Sequence, residues 1–320
     1  MERADALPYK ESMFRLAHLS DVHLGPLPDV SYRQLVSKRV LGYVNWQRNR
    51  SRFLHDSVID AIVADMKACA PDHIAVTGDL VNLSLDREIE LARLWLETLG
   101  DPQRVSVVPG NHDAYVPGAL DRACRAWSPW MGADVEGPVD RHSFPYLRVR
   151  GKVALIGATS ARATAPFMAN GFFRPGQAHR LGRILDTAGR RGLFRVVMIH
   201  HPPVRNAVSQ AKRLFGIDNF QHVVRRHGAE LVLHGHSHLP SLHWIDGKKD
   251  RVPVVGVAAA GQAPGGRKPA AQFNLIDIDG EPDRWRARLT RRGLTGPAAP
   301  PAEMESLDLY AVEALEPAGA

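Results

Sequence analysis

Cysteine is nearly missing from this chain: among 320 residues only Cys69 and Cys124 occur, and they form no C-x-x-C pair. That excludes a disulfide framework and a thiolate-held metal, and it suits a reducing compartment with both thiols buried as apolar groups. Long hydrophobic runs are missing too. No stretch approaches the roughly 18 apolar residues of a membrane span, and Met1-Glu-Arg-Ala-Asp lacks the basic-then-apolar layout of a secretory signal. A cytoplasmic protein is the expectation. There is no repeat of solenoid length, and 44% hydrophobic with 23% charged residues is not the composition of a disordered chain. Positive charge is in excess, with 41 Lys and Arg against 34 Asp and Glu and a formal net charge of +7. An arginine-rich soluble surface accounts for this, and so does an anionic substrate or surface.

The chain is organised around Val105-Ser-Val-Val-Pro-Gly110-Asn111-His112-Asp113. A valine-rich run reads as a buried strand, Pro109-Gly110 ends it, and three polar side chains follow without a gap. A surface turn would account for Pro-Gly-Asn alone. The same pattern recurs four times, however: Leu16-Ala-His-Leu-Ser-Asp21-Val-His23, Ile74-Ala-Val-Thr-Gly-Asp79, Val196-Val-Met-Ile-His200-His201 and Leu231-Val-Leu-His-Gly-His236-Ser-His238. Five strand ends bearing Asp, Asn or His describe one site on the edge of a sheet.

Helical patterns over 53–69, 85–99, 177–189 and 219–227 alternate with strands, as in parallel βαβ units. A hairpin is expected at 146–157, and late strands at 252–259, 272–277 and 285–290 form an antiparallel half. The expected fold is α/β, two stacked mixed β-sheets flanked by helices, with ligand loops gathered beyond the strand C-termini. Residues 1–12 read as a lead-in, 13–292 as the domain and 293–320 as a tail. Trp127-Ser-Pro-Trp130 suggests a loop or short helix near the site. Residues 31–52 form a basic helical insertion: Arg33, Lys38, Arg39, Arg48, Arg50 and Arg52 alternate with apolar residues at helical spacing. It either lays its apolar face on the domain or caps the site against an anionic substrate or membrane surface.

Asp21 and His23 stand two apart on what reads as extended backbone, so both point the same way, as do His236 and His238. With Asp79, Asn111 and His200 they make seven nitrogen and oxygen donors and no sulfur. One tetrahedral ion cannot use that many; two five- or six-coordinate ions can. Two cations about 3.5–4 Å apart suit phosphoryl chemistry.

The ordered set Asp-x-His, Gly-Asp, Gly-Asn-His-Asp, His-x-Pro and Gly-His-x-His resembles the signature of the calcineurin-like metallophosphoesterases. The resemblance implies that Asp21, His23 and His238 hold one divalent ion, that Asn111, His200 and His236 hold the other, and that Asp79 bridges them. It implies Mn, Fe or Zn as the two ions and a two-metal, metal-hydroxide attack on a phosphodiester. His112 would act as general acid on the leaving oxygen, with Asp113 orienting it. His201 is read as a supporting residue, and His18, His234 and His243 as structural or supporting. Ser20-Asp-Val-His and His200-His-Pro-Pro look most like bacterial class III cyclic nucleotide phosphodiesterases. Alternatives are a UDP-diacylglucosamine-type nucleotide-lipid pyrophosphatase at the membrane face, a nuclease, and a non-catalytic binding scaffold. The expected partner is a phosphodiester or pyrophosphate small molecule, with contact to an anionic membrane through 31–52 left open and nucleic acid not favoured.

Overall fold

The computed structural model describes residues 13–27, 38–46, 56–134, 137–297 and 299–310. The expected lead-in, Arg33, Arg48, Arg50 and Arg52 of the basic segment, and residues 311–320 lie outside them.

The chain opens with β1 (Phe14–Leu19), α1 (Arg39–Asn45), α2 (Asp56–Ala68), β2 (His73–Val76), α3 (Asp86–Leu99) and β3 (Val105–Val107). The three strands pair in parallel, Leu16 opposite His73 and Ile74 opposite Val105, so their C-terminal ends share one edge. Next come α4 (Ala119–Ala126), α5 (Ser128–Met131), and the hairpin of β4 (Tyr146–Arg150) and β5 (Val153–Gly157). The second half runs β6 (Gly171–Phe172), α6 (Pro175–Arg190), β7 (Phe194–Met198), β8 (Leu214–Phe215), α7 (Ile217–His227) and β9 (Leu231–His234). It ends with β10 (Ser241–Asp246), β11 (Arg251–Gly256), β12 (Gln272–Asp279), β13 (Arg286–Gly293) and β14 (Ala302–Asp308).

One sheet has the order β14-β13-β12-β1-β2-β3 and the other β10-β11-β9-β7-β5-β4, while β6 and β8 pair separately. Strand alternation builds the layers. Val196 and Met198 of β7, and Leu231 and Leu233 of β9, face the first sheet in one buried cluster with Leu16, Val76, Val107 and Ile276. Their neighbours Val197 and Val232 point the other way, into a second cluster with Leu181 and Leu185 of α6 and Phe220 and Val224 of α7. On the far side of the first sheet, Ile62 and Met66 of α2 and Ile89 and Leu96 of α3 cover it. The layers are helix, sheet, sheet, helix, as the sequence implies. Each fully buried aliphatic side chain contributes about 1.5–3 kcal/mol.

Two expectations are corrected. Residues beyond 292 are not all tail: β14 pairs with β13, Leu309 is buried, and the Tyr310 hydroxyl donates to the Glu230 carbonyl. The strand escapes a hydrophobicity reading because it lies at the sheet edge and is held by cross-strand ion pairs, Arg291 to Glu305 (2.8 Å) and Arg288 to Asp308 (2.9 Å). The short helix expected at Trp127–Trp130 is present as α5, but neither indole lines the cleft over the candidate site. Their indole N–H groups donate to the carbonyls of Ile89 (2.9 Å) and Gly100 (3.2 Å), fastening α4 and α5 along α3.

Candidate metal centre

All seven candidate ligands follow the C-terminal ends of β1, β2, β3, β7 and β9 directly. The loops are stitched together by backbone bonds: Asp21 N–H donates to Gly78 (2.9 Å), His23 N–H to Asp79 (3.0 Å) and Gly235 N–H to His200 (3.0 Å). The paired ligands do not sit on extended backbone, as alternation suggests. Asp21, His23, Asp79, His236 and His238 have φ of 53°, 48°, 57°, 66° and 56°, the left-handed region that side chains rarely occupy. Such strain collects at functional sites. Glycine permits the close approach: a Cβ on Gly110 would overlap the Asp79 carboxylate, and one on Gly235 would overlap Ser20 Oγ.

The side chains converge. His238 Nε2 lies 3.0 Å from Asp21 Oδ1, His200 Nε2 lies 3.3 Å from Asp79 Oδ2, and His23 Nε2 is 3.9 Å from Asp79 Oδ2 and 4.0 Å from Asp21 Oδ1. His200 Nε2 is also 3.2 Å from Asn111 Oδ1. Asp21, His23 and His238 form one candidate ligand group and Asp21, Asp79 and His200 another, the ligand atoms of each within 4.8 Å of one another. Backbone carbonyls select which ring nitrogen faces the cluster, because a carbonyl can only accept. His23 Nδ1 donates to Val81 (3.2 Å) and His200 Nδ1 to Thr77 (2.6 Å), leaving Nε2 for a ligand; His236 donates from Nε2 to Lys212 (2.9 Å), leaving Nδ1.

The electrostatics are those of a cation site. Burial works to raise the carboxyl groups of Asp21 and Asp79. The neighbouring imidazoles, His238 for Asp21 and His200 for Asp79, outweigh it and hold both well below the carboxylate range. Burial would lower His200, but Asp79 raises it to about 9. Asp21 Oδ1 is buried and faces His238 Nε2 at 3.0 Å. Two buried carboxylates among imidazole nitrogens, with no sulfur, fit hard or borderline divalent ions.

The sequence profile of the calcineurin-like phosphoesterases matches residues 14–240. The chain belongs to this family. Among curated proteins, a probable cyclic nucleotide phosphodiesterase of a Synechococcus species is 30% identical over 181 residues, 56% of this chain and 62% of the relative. The chain therefore aligns with less than two thirds of that relative. Among solved structures, a dimetal phosphatase of Danio rerio has a TM-score of 0.58 at 14% identity, covering 92% of this chain and 98% of that one. A purple acid phosphatase of yellow lupin seeds has 0.57 at 15%, covering 94% and 54%. Both have the same fold.

His112 sits at the cluster's edge, its ring edge-on to His23 with centroids 4.8 Å apart. Its orientation does not come from Asp113, as the sequence suggested. The Asp113 carboxylate is buried among backbone N–H groups, accepting from Gly110 (2.8 Å), Asp79 (2.8 Å), Leu80 (2.9 Å) and Val81 (3.2 Å). It ties the β2 and β3 loops together, and burial beside Asp79 pushes it up to about 7. His112 is held instead by the Asn82 carbonyl at its Nδ1 (2.6 Å) and by Tyr115, whose ring stacks on it at 5.4 Å and 14°. The Asn82 loop is in turn fixed by buried Glu88, which accepts from the N–H groups of Asn82 (2.9 Å), Leu83 (3.0 Å) and Leu85 (2.9 Å). Asn82, Glu88 and Tyr115 escaped the sequence reading; only Glu88, three residues into α3, carries a legible signal, that of a capping residue.

His201 bonds Ser160 Oγ through Nδ1 (2.7 Å) and Ala169 O through Nε2 (3.1 Å), which leaves neither nitrogen for a metal despite its nearness to His200 and His236. His18 is likewise engaged by Thr77 (2.9 Å) and Asn274 (3.2 Å), and His234 bonds the Gly235 carbonyl (3.0 Å). Above the cluster opens a cleft of about 530 Å³, walled by α1 on one side and residues 167–169 on the other. Lys38 crosses it, its ammonium 4.7 Å from the Tyr115 ring centroid, and burial lowers this amine to about 8.

Proposed function

We propose that this phosphoesterase hydrolyses phosphodiesters of small molecules at two divalent ions. Asp21, His23 and His238 would hold one ion, Asn111, His200 and His236 the other, with Asp79 between them. The observation that carries the reading is the convergence of these side chains from five strand ends onto the buried carboxylates of Asp21 and Asp79. Bound ions would supply Lewis acidity towards the phosphate oxygens and lower the pKa of a water. The chain's own contribution is orientation and proton transfer. The Asn82 carbonyl fixes His112 Nδ1–H, so Nε2 is the nitrogen that meets substrate. As an imidazolium, His112 gives its Nε2 proton to the leaving oxygen as the P–O bond breaks, while a water oxygen bonds to phosphorus from the opposite side and releases a proton to solvent. Mn, Fe or Zn suit the donor set. The Synechococcus relative's name supports a cyclic nucleotide as one such diester.

The test is hydrolysis of bis(p-nitrophenyl) phosphate by protein loaded with Mn, with cyclic AMP, a nucleotide-linked lipid pyrophosphate and single-stranded DNA as a panel. Turnover that disappears on chelation is expected. A loaded protein inert to the whole panel would refute the reading.

A further inference from the structure

The described part of the 31–52 segment has its polarity inverted relative to a solvated surface helix. Its two cations turn towards the protein. Lys38 Nζ donates to Thr164 Oγ1 (2.6 Å) and the Met168 carbonyl (2.7 Å), and Arg39 to the carbonyls of Leu83 (3.0 Å) and Ser84 (2.6 Å). Gly42 lies against Tyr115 and Leu83, so close that a Cβ would overlap both. Tyr43 packs inward on Leu83, Leu85 and Tyr115, while the aliphatic residues are left outside: Val40 is 44% exposed, Leu41 39% and Val44 37%. Across the cleft, in the loop that Lys38 fastens, Phe167 is 84% exposed. Leu41 and Val44 from α1, Trp46 just after it, and Phe167 and Met168 line the same cleft as Asp79, His112 and His236.

Scattered exposed apolar residues are ordinary, but here Leu41, Val44 and Phe167 border one opening. The floor of that opening is polar and suited to cations, and Lys212 is exposed on its wall. A cleft that is charged at depth and apolar at the mouth complements an amphiphile, head group inward. Three exposed apolar residues on a seven-residue helix offer little surface for anchoring to a bilayer, and the facing Phe167 would be left out of such an anchor.

We propose that the phosphoester taken by this site carries a long alkyl or acyl chain, seated between α1 and the 164–168 loop while its phosphate reaches the ligand cluster. This deepens the phosphodiesterase reading and rests on it. The test uses full-length, Mn-loaded protein and p-nitrophenyl alkyl phosphates with methyl, butyl and decyl groups, each below its critical micelle concentration. In parallel, binding of methyl and decyl phosphate is measured by calorimetry. From methyl to decyl, kcat/KM and affinity should each rise about tenfold or more. Leu41→Ser, Val44→Ser and Phe167→Ser should each shrink that ratio at unchanged metal content. A ratio near one, a ratio indifferent to all three variants, or a rise seen only above the micelle concentration would overturn the proposal. So would a dimer whose dissociation on Phe167→Ser showed that a second copy covers this opening. Chain-dependent binding without turnover of any ester would refute hydrolysis and uphold the amphiphile.

Discussion

At the scale of single residues, His112 and Asp113 are adjacent in sequence and opposite in role. His112 touches the site and owes its pose to Asn82 and Tyr115, whereas Asp113 answers four backbone N–H groups. His112→Ala should therefore keep both ions, read by elemental analysis, and lower turnover by about 10²–10⁴. Asp113→Ala should instead leave buried donors unanswered and cost about 3 kcal/mol or more in urea unfolding, metal present or not. Metal loss in the first variant, or full stability in the second, would reverse these assignments. The donor types were legible in the sequence because Asp, Asn and His, set directly after buried strands five times over, serve ligation better than they serve a turn. Their backbone was not: nothing in Asp21-Val-His23 announces two left-handed residues, which follow from bonds to Gly78 and Asp79 in a distant loop.

At the scale of elements, α1 and β14 were the least legible. Periodicity identified α1 as amphipathic but could not say which face turns inward, because that depends on Tyr115, Thr164 and Met168 far along the chain. For β14, the alternation of Ala302-Glu-Met304-Glu is short and breaks at Ser306-Leu307, and its charged residues find their complement in the partner Arg291 and Arg288 side chains. If the strand is integral, Leu309→Ala at its end should cost about 2–4 kcal/mol. An unchanged urea midpoint would return this stretch to a tail. The long helices and the parallel strands were legible throughout, because burial on one or both faces writes its period into the sequence.

Across the whole molecule, two buried histidines away from the proposed ligands couple stability to pH. Burial pushes His18 and His73 down to about 3, from 6.5. Below about pH 6.5 the unfolded chain takes up these protons and the folded one does not, so stability falls with pH until about 3, by up to about 1.4 kcal/mol per unit for each residue. Unfolding measured at pH 7 and pH 5 should show that loss, and His73→Gln should make it shallower. Among the described residues no helix is long and apolar enough to cross a membrane. The five left-handed side chains of the strand-end loops have a consequence at this scale as well. Backbone energetics alone would choose glycine there, but at His238 that gain is outweighed by the loss of the imidazole facing buried Asp21 (3.0 Å), so His238→Gly should disable a proposed ligand and lower the stability of the metal-free chain. On that view the rim of the candidate metal centre is a standing tension within an otherwise relaxed scaffold, kept for what it would grip and not for what it holds up.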